Sequence, residues 1–147
     1  KHNSVKKLIV SIVCLLICST SVSAKTLVVV STASPFTGLT EKQAIKIWQG
    51  KKQRLNDLPI IVLDQDKGKT QTAFYKNLLG KTPNEVKAYW KKLAFSEIAY
   101  APTKLANDEQ VKEWLILNPL AIGYINVTSL DKSMRVLLEI NSLNERN

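Results

Sequence analysis

Apolar residues gather in short blocks between polar stretches, and their period changes along the chain. Residues 26–30 (TLVVV) form a continuous β-branched run, the pattern of a strand covered on both faces, as in a parallel sheet. The polar loop STASPFTG follows, and then Thr40-Glu41-Lys42-Gln43 has the form of a capping box with Thr40 as N-cap. Leu39 can staple onto Ala44. Ala44, Ile45, Ile47 and Trp48 give that helix an apolar face, and Gly50 is placed to end it. KKQRLND reads as a charged loop whose Lys51, Lys52 and Arg54 form a solvated edge. Residues 60–63 are a second buried strand. After the polar loop DQDKGKTQT, residues 70–79 form a helix with Ala73, Phe74 and Leu78 on one face and Gly80 as its stop.

Thr82-Pro83-Asn84-Glu85 combines a cap, a proline at the first helical position and a closing glutamate. Val86, Tyr89, Trp90 and Leu93 follow as a core-facing stripe, with Lys87, Lys91 and Lys92 on the opposite side. Residues 96–105 read as irregular, because Pro102 forbids a continuous helix. Asn107 to Gln110 opens a last helix, buried through Val111, Trp114 and Leu115 and ended by Asn118-Pro119. LAIGYI (120–125) is a strand in which Gly123 marks the close approach of another backbone. MRVLLEI (134–140) is a strand antiparallel to its neighbour across the turn near Asp131, and the tail NSLNERN is expected to fray. The order β-α-β-α-α-α-β-β argues for an α/β sandwich with a mostly parallel sheet in one domain. No internal repeat or low-complexity linker interrupts it.

The first 24 residues stand apart from this pattern. Lys1, Lys6 and Lys7 precede an apolar run from Leu8 to Cys18 that is too short to span a bilayer, and Val22-Ser23-Ala24 supplies small residues for cleavage. Residues 1–24 are therefore expected to be a secretory signal peptide and 25–147 the folded domain. A lipid anchor is disfavoured, because Val13 and Ile17 are too bulky to precede a lipidated Cys14 or Cys18. Cleavage removes both cysteines and the single histidine, His2. What remains can support neither Cys–His nor Ser–His catalysis, nor a zinc site of the usual nitrogen and sulfur kind.

Charge adds a hint about partners. Loss of Lys1, Lys6 and Lys7 leaves all but three of the 21 Lys and Arg against 12 Asp and Glu. A basic balance suits a soluble surface, an anionic ligand or an anionic surface. Nucleic acid is not expected, since aromatic and basic residues do not interleave into a stacking platform. The loop DQDKGKTQT brings amides, hydroxyls and a lysine together ahead of a helix start, which suits an anion. The candidate ligand-binding residues are Gly68, Lys69, Thr70, Gln71 and Thr72, joined by Ser31, Thr32 and Ser34 just past the carboxyl end of the first strand. The alternative for those three hydroxyls is that they cap their turn. Asp64 and Asp66 lack a third oxygen at calcium-loop spacing and are read as structural or solvating. Lys69 beside Thr70 does not make a catalytic pair, and no group is placed as a general base. No enzyme, metal or cofactor is expected.

IWQGKK, VLDQ, AFYKNLLGKTPNEVKAYWKKLAFS and NPLAIGYI, in this order and spacing, resemble short secreted proteins related to the solute-binding protein of phosphate ABC transporters. The likeness runs from about Leu27 to beyond Ile125. It implies a single three-layer lobe of the type 2 periplasmic-binding-protein kind, mostly parallel with a C-terminal antiparallel strand, located in the periplasm. Larger relatives hold phosphate on a Gly-Ser-Gly-Thr-Arg loop, matched here by Gly68-Lys69-Thr70-Gln71-Thr72. The serine is absent, and Gln71 stands where the arginine would be, so the bidentate fork is lost. Lys69 restores a charge only as a point. After Phe95, relatives carry a glycine-rich basic turn where this chain has Ser96-Glu97-Ile98-Ala99-Tyr100, and Glu97 would repel an anion.

The resemblance implies a periplasmic solute-binding-like protein for phosphate or a related oxyanion, with an eroded anion loop. Its partners would be that anion and an ABC permease or a membrane sensor protein. One lobe leaves the ligand half open, so a second lobe would come from another copy or a membrane protein. The alternative is a secreted adaptor that keeps the lobe but docks on an envelope or signalling protein.

Overall fold

The computed structural model describes residues 25–96 and 100–142. The expected signal peptide and its cleavage, the effect of Glu97, and the end of the tail lie outside the described residues. The chain folds as β1 (Thr26–Ser31), α1 (Glu41–Trp48), β2 (Arg54–Leu55), β3 (Leu58–Pro59), β4 (Ile61–Gln65), α2 (Lys69–Phe74), α3 (Pro83–Leu93), β5 (Thr103–Leu105), α4 (Asp108–Leu117), β6 (Ala121–Asn126) and β7 (Met134–Ile140). Helix α2 continues through wider π turns over Tyr75–Leu79.

The helix starts follow the caps written in the sequence. The Thr40 and Thr82 hydroxyls accept from the amides of Gln43 and Glu85, and both boxes are reciprocal. Asn107 caps α4 through the Gln110 amide, while the Gln110 side chain accepts from Ala106. The π turns end at Gly80, whose φ of 65° is the left-handed stop expected of it.

Five strands form a sheet in the order β5-β4-β6-β1-β7. Strand β4 is parallel to β5 and β6, while β1 is antiparallel to β6 and to β7. The expected mostly parallel sheet with an antiparallel C-terminal strand is thus present, with two refinements. Strand β7 pairs with β1 rather than with β6 across the Asp131 turn. Strand β1 is fully buried as expected, yet it runs against the other four. A run of β-branched residues records burial on both faces and carries no direction.

Each face of the sheet has its own core. Val28, Val30, Ile122 and Tyr124 point toward α1, α2 and Val86 of α3, and Leu27, Val29, Leu63 and Ile125 point toward α4. This is the expected three-layer lobe. On the first face Phe74 stacks on Tyr124 at 3.6 Å between centroids, and the Trp48 ring meets Phe74 edge-on at 4.9 Å. The Trp48 indole N–H donates to the Leu63 carbonyl at 3.0 Å, so its polar end is satisfied inside the core. On the second face a Cβ on Gly123 would stand 2.7 Å from the Val111 Cγ1. The close neighbour is therefore a side chain of α4 rather than a second backbone.

Some expectations fail for local reasons. KKQRLND contains β2 and the Asn56–Asp57 turn, at φ 50° and 64°, that leads into β3. Residues 96–105 contain β5, too short to show a period. Trp114 is exposed rather than core. The α3 stripe is buried only at Val86, and Tyr89, Trp90 and Leu93 are half-covered. Strand β4 also lies further along than expected, so Asp64 and Gln65 are buried strand residues and not loop residues.

Candidate functional site

The carboxyl end of β4 is built from the inside. Asp64 is 2% exposed and accepts from the Tyr124 hydroxyl at 2.5 Å, the Tyr75 hydroxyl at 2.6 Å and the Gln65 amide at 2.7 Å. Lys104 closes the cluster, with its Nζ 3.1 Å from the Asp64 carboxylate and 2.7 Å from the Tyr75 oxygen. A buried carboxylate is tolerated only when its lone pairs and charge are answered, and here β4, β5, β6 and α2 each contribute a partner. Burial, reinforced by the Asp64 carboxylate, pushes the Tyr75 and Tyr124 hydroxyls well above the ordinary tyrosine range, so both remain donors. Of the two roles expected of Asp64, structural or solvating, the structural one holds: it is the hub that fixes the end of the strand.

Gln65 and Gln71 extend this inner scaffold. The Gln65 side-chain amide donates to the Tyr124 carbonyl at 3.0 Å and to Asp108 at 2.8 Å. The Gln71 side chain, also buried, donates to the Gln65 carbonyl at 2.6 Å. Its amide is therefore turned into the protein. The Thr72 hydroxyl donates to the Gly68 carbonyl at 3.0 Å, beside the Thr72 amide at 3.1 Å. Of the five predicted loop residues, Gln71 and Thr72 thus brace the loop with their side chains.

The backbone of the loop faces outward. Gly68 has φ 105° and ψ 177°, a conformation essentially reserved for glycine, and a Cβ there would meet nothing within 4 Å. The glycine is required by the turn itself and not by crowding. Among the described residues, no acceptor takes a hydrogen bond from the amides of Gly68, Lys69, Thr70 or Gln71. Lys67, Gly68, Lys69 and Thr70 border an open cleft of about 570 Å³, whose other wall is Ala106 to Glu109 and Ser129. The starts of α2 and α4 converge on this cleft, and both present the positive ends of their dipoles. Two carboxylates share it. Asp108 accepts from Gln65, from the Asn126 amide at 3.0 Å and from Ser129 Oγ at 2.6 Å, whereas Glu109 is exposed.

Ser31, Thr32 and Ser34 are elsewhere. Because β1 is antiparallel, its carboxyl end lies at the opposite end of the sheet from that of β4: Ile61 aligns with Ala121, while Thr26 aligns with Asn126. At about 3.3 Å per residue the two ends are at least roughly 13 Å apart. Ser31 Oγ accepts from the Ala33 amide at 3.0 Å, and Ser34 Oγ from the Phe36 amide at 3.1 Å. Thr32 donates its amide to Ser133, and the Ser34 carbonyl accepts from Arg135. These residues close their own turn, and the structure does not bring them to the loop.

Three solved structures share this architecture. An ABC-type phosphate transport receptor from Vibrio cholerae is 25% identical with a TM-score of 0.61, matched over 78% of this chain and 46% of its own. A substrate-binding protein of a phosphate ABC transporter from Clostridium perfringens, solved with bound phosphate, is 22% identical with a TM-score of 0.60, over 78% and 45%. PstS from Borrelia burgdorferi is 22% identical with a TM-score of 0.58, over 78% and 47%. The fold is that of a periplasmic-binding-protein-like lobe. The chain spans less than half the length of each of these proteins. No protein-family model and no curated protein matches the sequence. Among the described residues no cluster of three metal-ligating side chains occurs, and no helix is long and apolar enough to cross a membrane.

Proposed function

We propose that this chain is an extracytoplasmic solute-binding-like protein that holds phosphate or a similar small oxyanion on one side of a two-sided site. The observation that carries the reading is the outward row of amides from Gly68 to Thr70, left without acceptors while the side chains of Gln71 and Thr72 brace the loop behind them. Lys69 supplies a nearby exposed positive charge. Likeness to receptors of phosphate transporters supports the same class of ligand. The open cleft calls for a covering surface from a second copy or from a membrane protein such as an ABC permease. The neighbours are receptors and substrate-binding proteins, which supports a binding role.

Titration calorimetry with phosphate and sulfate tests this. A saturable signal at millimolar phosphate, lost in Gly68→Ala, is the expected result. A flat response in the unaltered protein overturns it.

A second reading has its own support. Asp108 and Glu109 place negative charge on the far wall of the cleft, and Gln71 replaces a phosphate-gripping arginine with an inward amide. Both features suit a lobe kept as a secreted adaptor for an envelope or signalling protein. Capture of one such partner from the periplasm, by a chain that gives no heat with oxyanions, would select this reading.

A further inference from the structure

A larger and chemically different groove lies beside the cleft, on the other side of Lys67 and Gln71. It is about 680 Å³ and is enclosed by the β4–α2 loop, the flank of α3, and the approach to β5. One wall is α3. Pro83, Lys87, Trp90, Lys91 and Ala94 all face it, as their spacing of three and four residues on one helix arc requires. Lys87 and Lys91, two of the three lysines expected opposite the aromatic stripe, therefore line the same groove as Trp90. The floor is Tyr75 and Lys104, whose Nζ stands 5.4 Å from the Tyr75 ring centroid and is already held by Asp64 and the Tyr75 hydroxyl.

The charge of this groove is lopsided. Lys67, Lys87 and Lys91 line it without an ion-pair partner among the described residues, and Asp66 is the acid that lines it with them. Asp64 lies beneath the floor and is answered by Lys104. The rest of the wall is mostly apolar, from Pro83, Val86, Trp90, Ala94, Ala101 and Pro102, with Gln71 and Asn84 as its uncharged polar residues. Trp90 is only half-buried, which leaves a large aromatic surface half-covered by the protein. An inorganic oxyanion could use the lysines but would leave this wall wet, and a neutral ring could use the wall but not the lysines. The volume is in the range that holds a ligand of one or two rings, roughly 300–1,000 Å³.

We propose that this groove is a second ligand site, separate from the Gly68 loop, for a small aromatic anion: a carboxylate or phosphate monoester carried on one or two rings. The ring lies against Trp90 and the prolines, and the anionic group is held by Lys87 and Lys91 at one end with Lys67 across from them. The proposal does not depend on oxyanion binding at the loop.

The probe is 1-naphthyl phosphate, followed by calorimetry and by the shift of the Trp90 indole resonance. Three results support the site: saturable binding that moves the Trp90 signal, at least tenfold weaker binding in Lys87→Glu/Lys91→Glu, and at least tenfold weaker binding of neutral 1-naphthol. Both lysines are exposed, so the double variant should keep the thermal unfolding of the parent; Lys87→Gln/Lys91→Gln replaces it if it does not. Gly68→Ala should remove the heat of inorganic phosphate while naphthyl phosphate still moves the Trp90 signal, which separates this site from the loop. No saturable binding, equal affinity in the charge variant, equal affinity for 1-naphthol, or loss of binding in Gly68→Ala would each overturn the assignment.

Discussion

The carboxyl ends of β1 and β4 look alike in sequence and behave in opposite ways. After β1 the chain runs through Ser31, Thr32 and Ser34, and the two serine hydroxyls receive amides two residues on. After β4 the chain runs through Asp66, Lys67 and Gly68, and the closing bonds come from behind, through Asp64, Gln65 and Gln71. In the first turn the local side chains satisfy the local amides, as serine and threonine commonly do. In the second, the Gln71 and Thr72 side chains donate to carbonyls, which leaves the amides unclaimed. A hydroxyl-rich loop can therefore close on itself, whereas a glycine loop underpinned by buried polar side chains can keep its amides open.

This contrast is most sharply broken at Asp64. Replacing it with alanine leaves two buried tyrosine hydroxyls and Lys104 without their shared acceptor, and should cost about 3–5 kcal/mol in urea unfolding. A loss below about 1 kcal/mol would show that the end of β4 is held by packing alone. Gly68→Ala comes next, at about 1–3 kcal/mol, because φ 105° with ψ 177° strains any residue with a Cβ. Gly38, with no positive φ and nothing within 4 Å of its Cβ position, should accept alanine without loss and serves as the control.

Alkaline pH tests the same hub. Tyr75 and Tyr124 titrate above their unfolded value of 10.0, so their contribution is intact below pH 10 and declines as pH rises beyond it. The unfolded chain then releases protons that the folded one keeps, and stability should fall by about 1.4 kcal/mol per pH unit for each tyrosine. Tyr75→Phe should reduce that slope in a pH series of urea midpoints. The smallest effect is expected at the other turn. Ser31→Ala should cost about 1 kcal/mol or less and leave any anion response of the protein unaltered.

Much of the fold was legible because its signals are local. The capping boxes at Thr40 and Thr82, the stops at Gly50 and Gly80, and the apolar runs at 26–30 and 120–125 each act within a few residues of themselves. Strand direction was not legible, since TLVVV reads the same whichever way it is threaded. Strands β2, β3 and β5 are two or three residues long, below the length at which alternation shows. The loop after β4 was visible through its glycine and its place ahead of a helix. Its support was not, because Asp64, Tyr75, Lys104 and Tyr124 are brought together only by the sheet.

The position of β1 also sets a timetable. It leaves the ribosome before every other described element, yet both of its edges are zipped to the last two described strands, Ala121–Asn126 and Met134–Ile140. Nascent chains therefore carry an oily ribbon with no mate until both of those strands have been made, and contacts so distant in sequence make that closure slow. A product cut short before Met134 would leave that ribbon open along one side, ready to be recognised by chaperones or proteases.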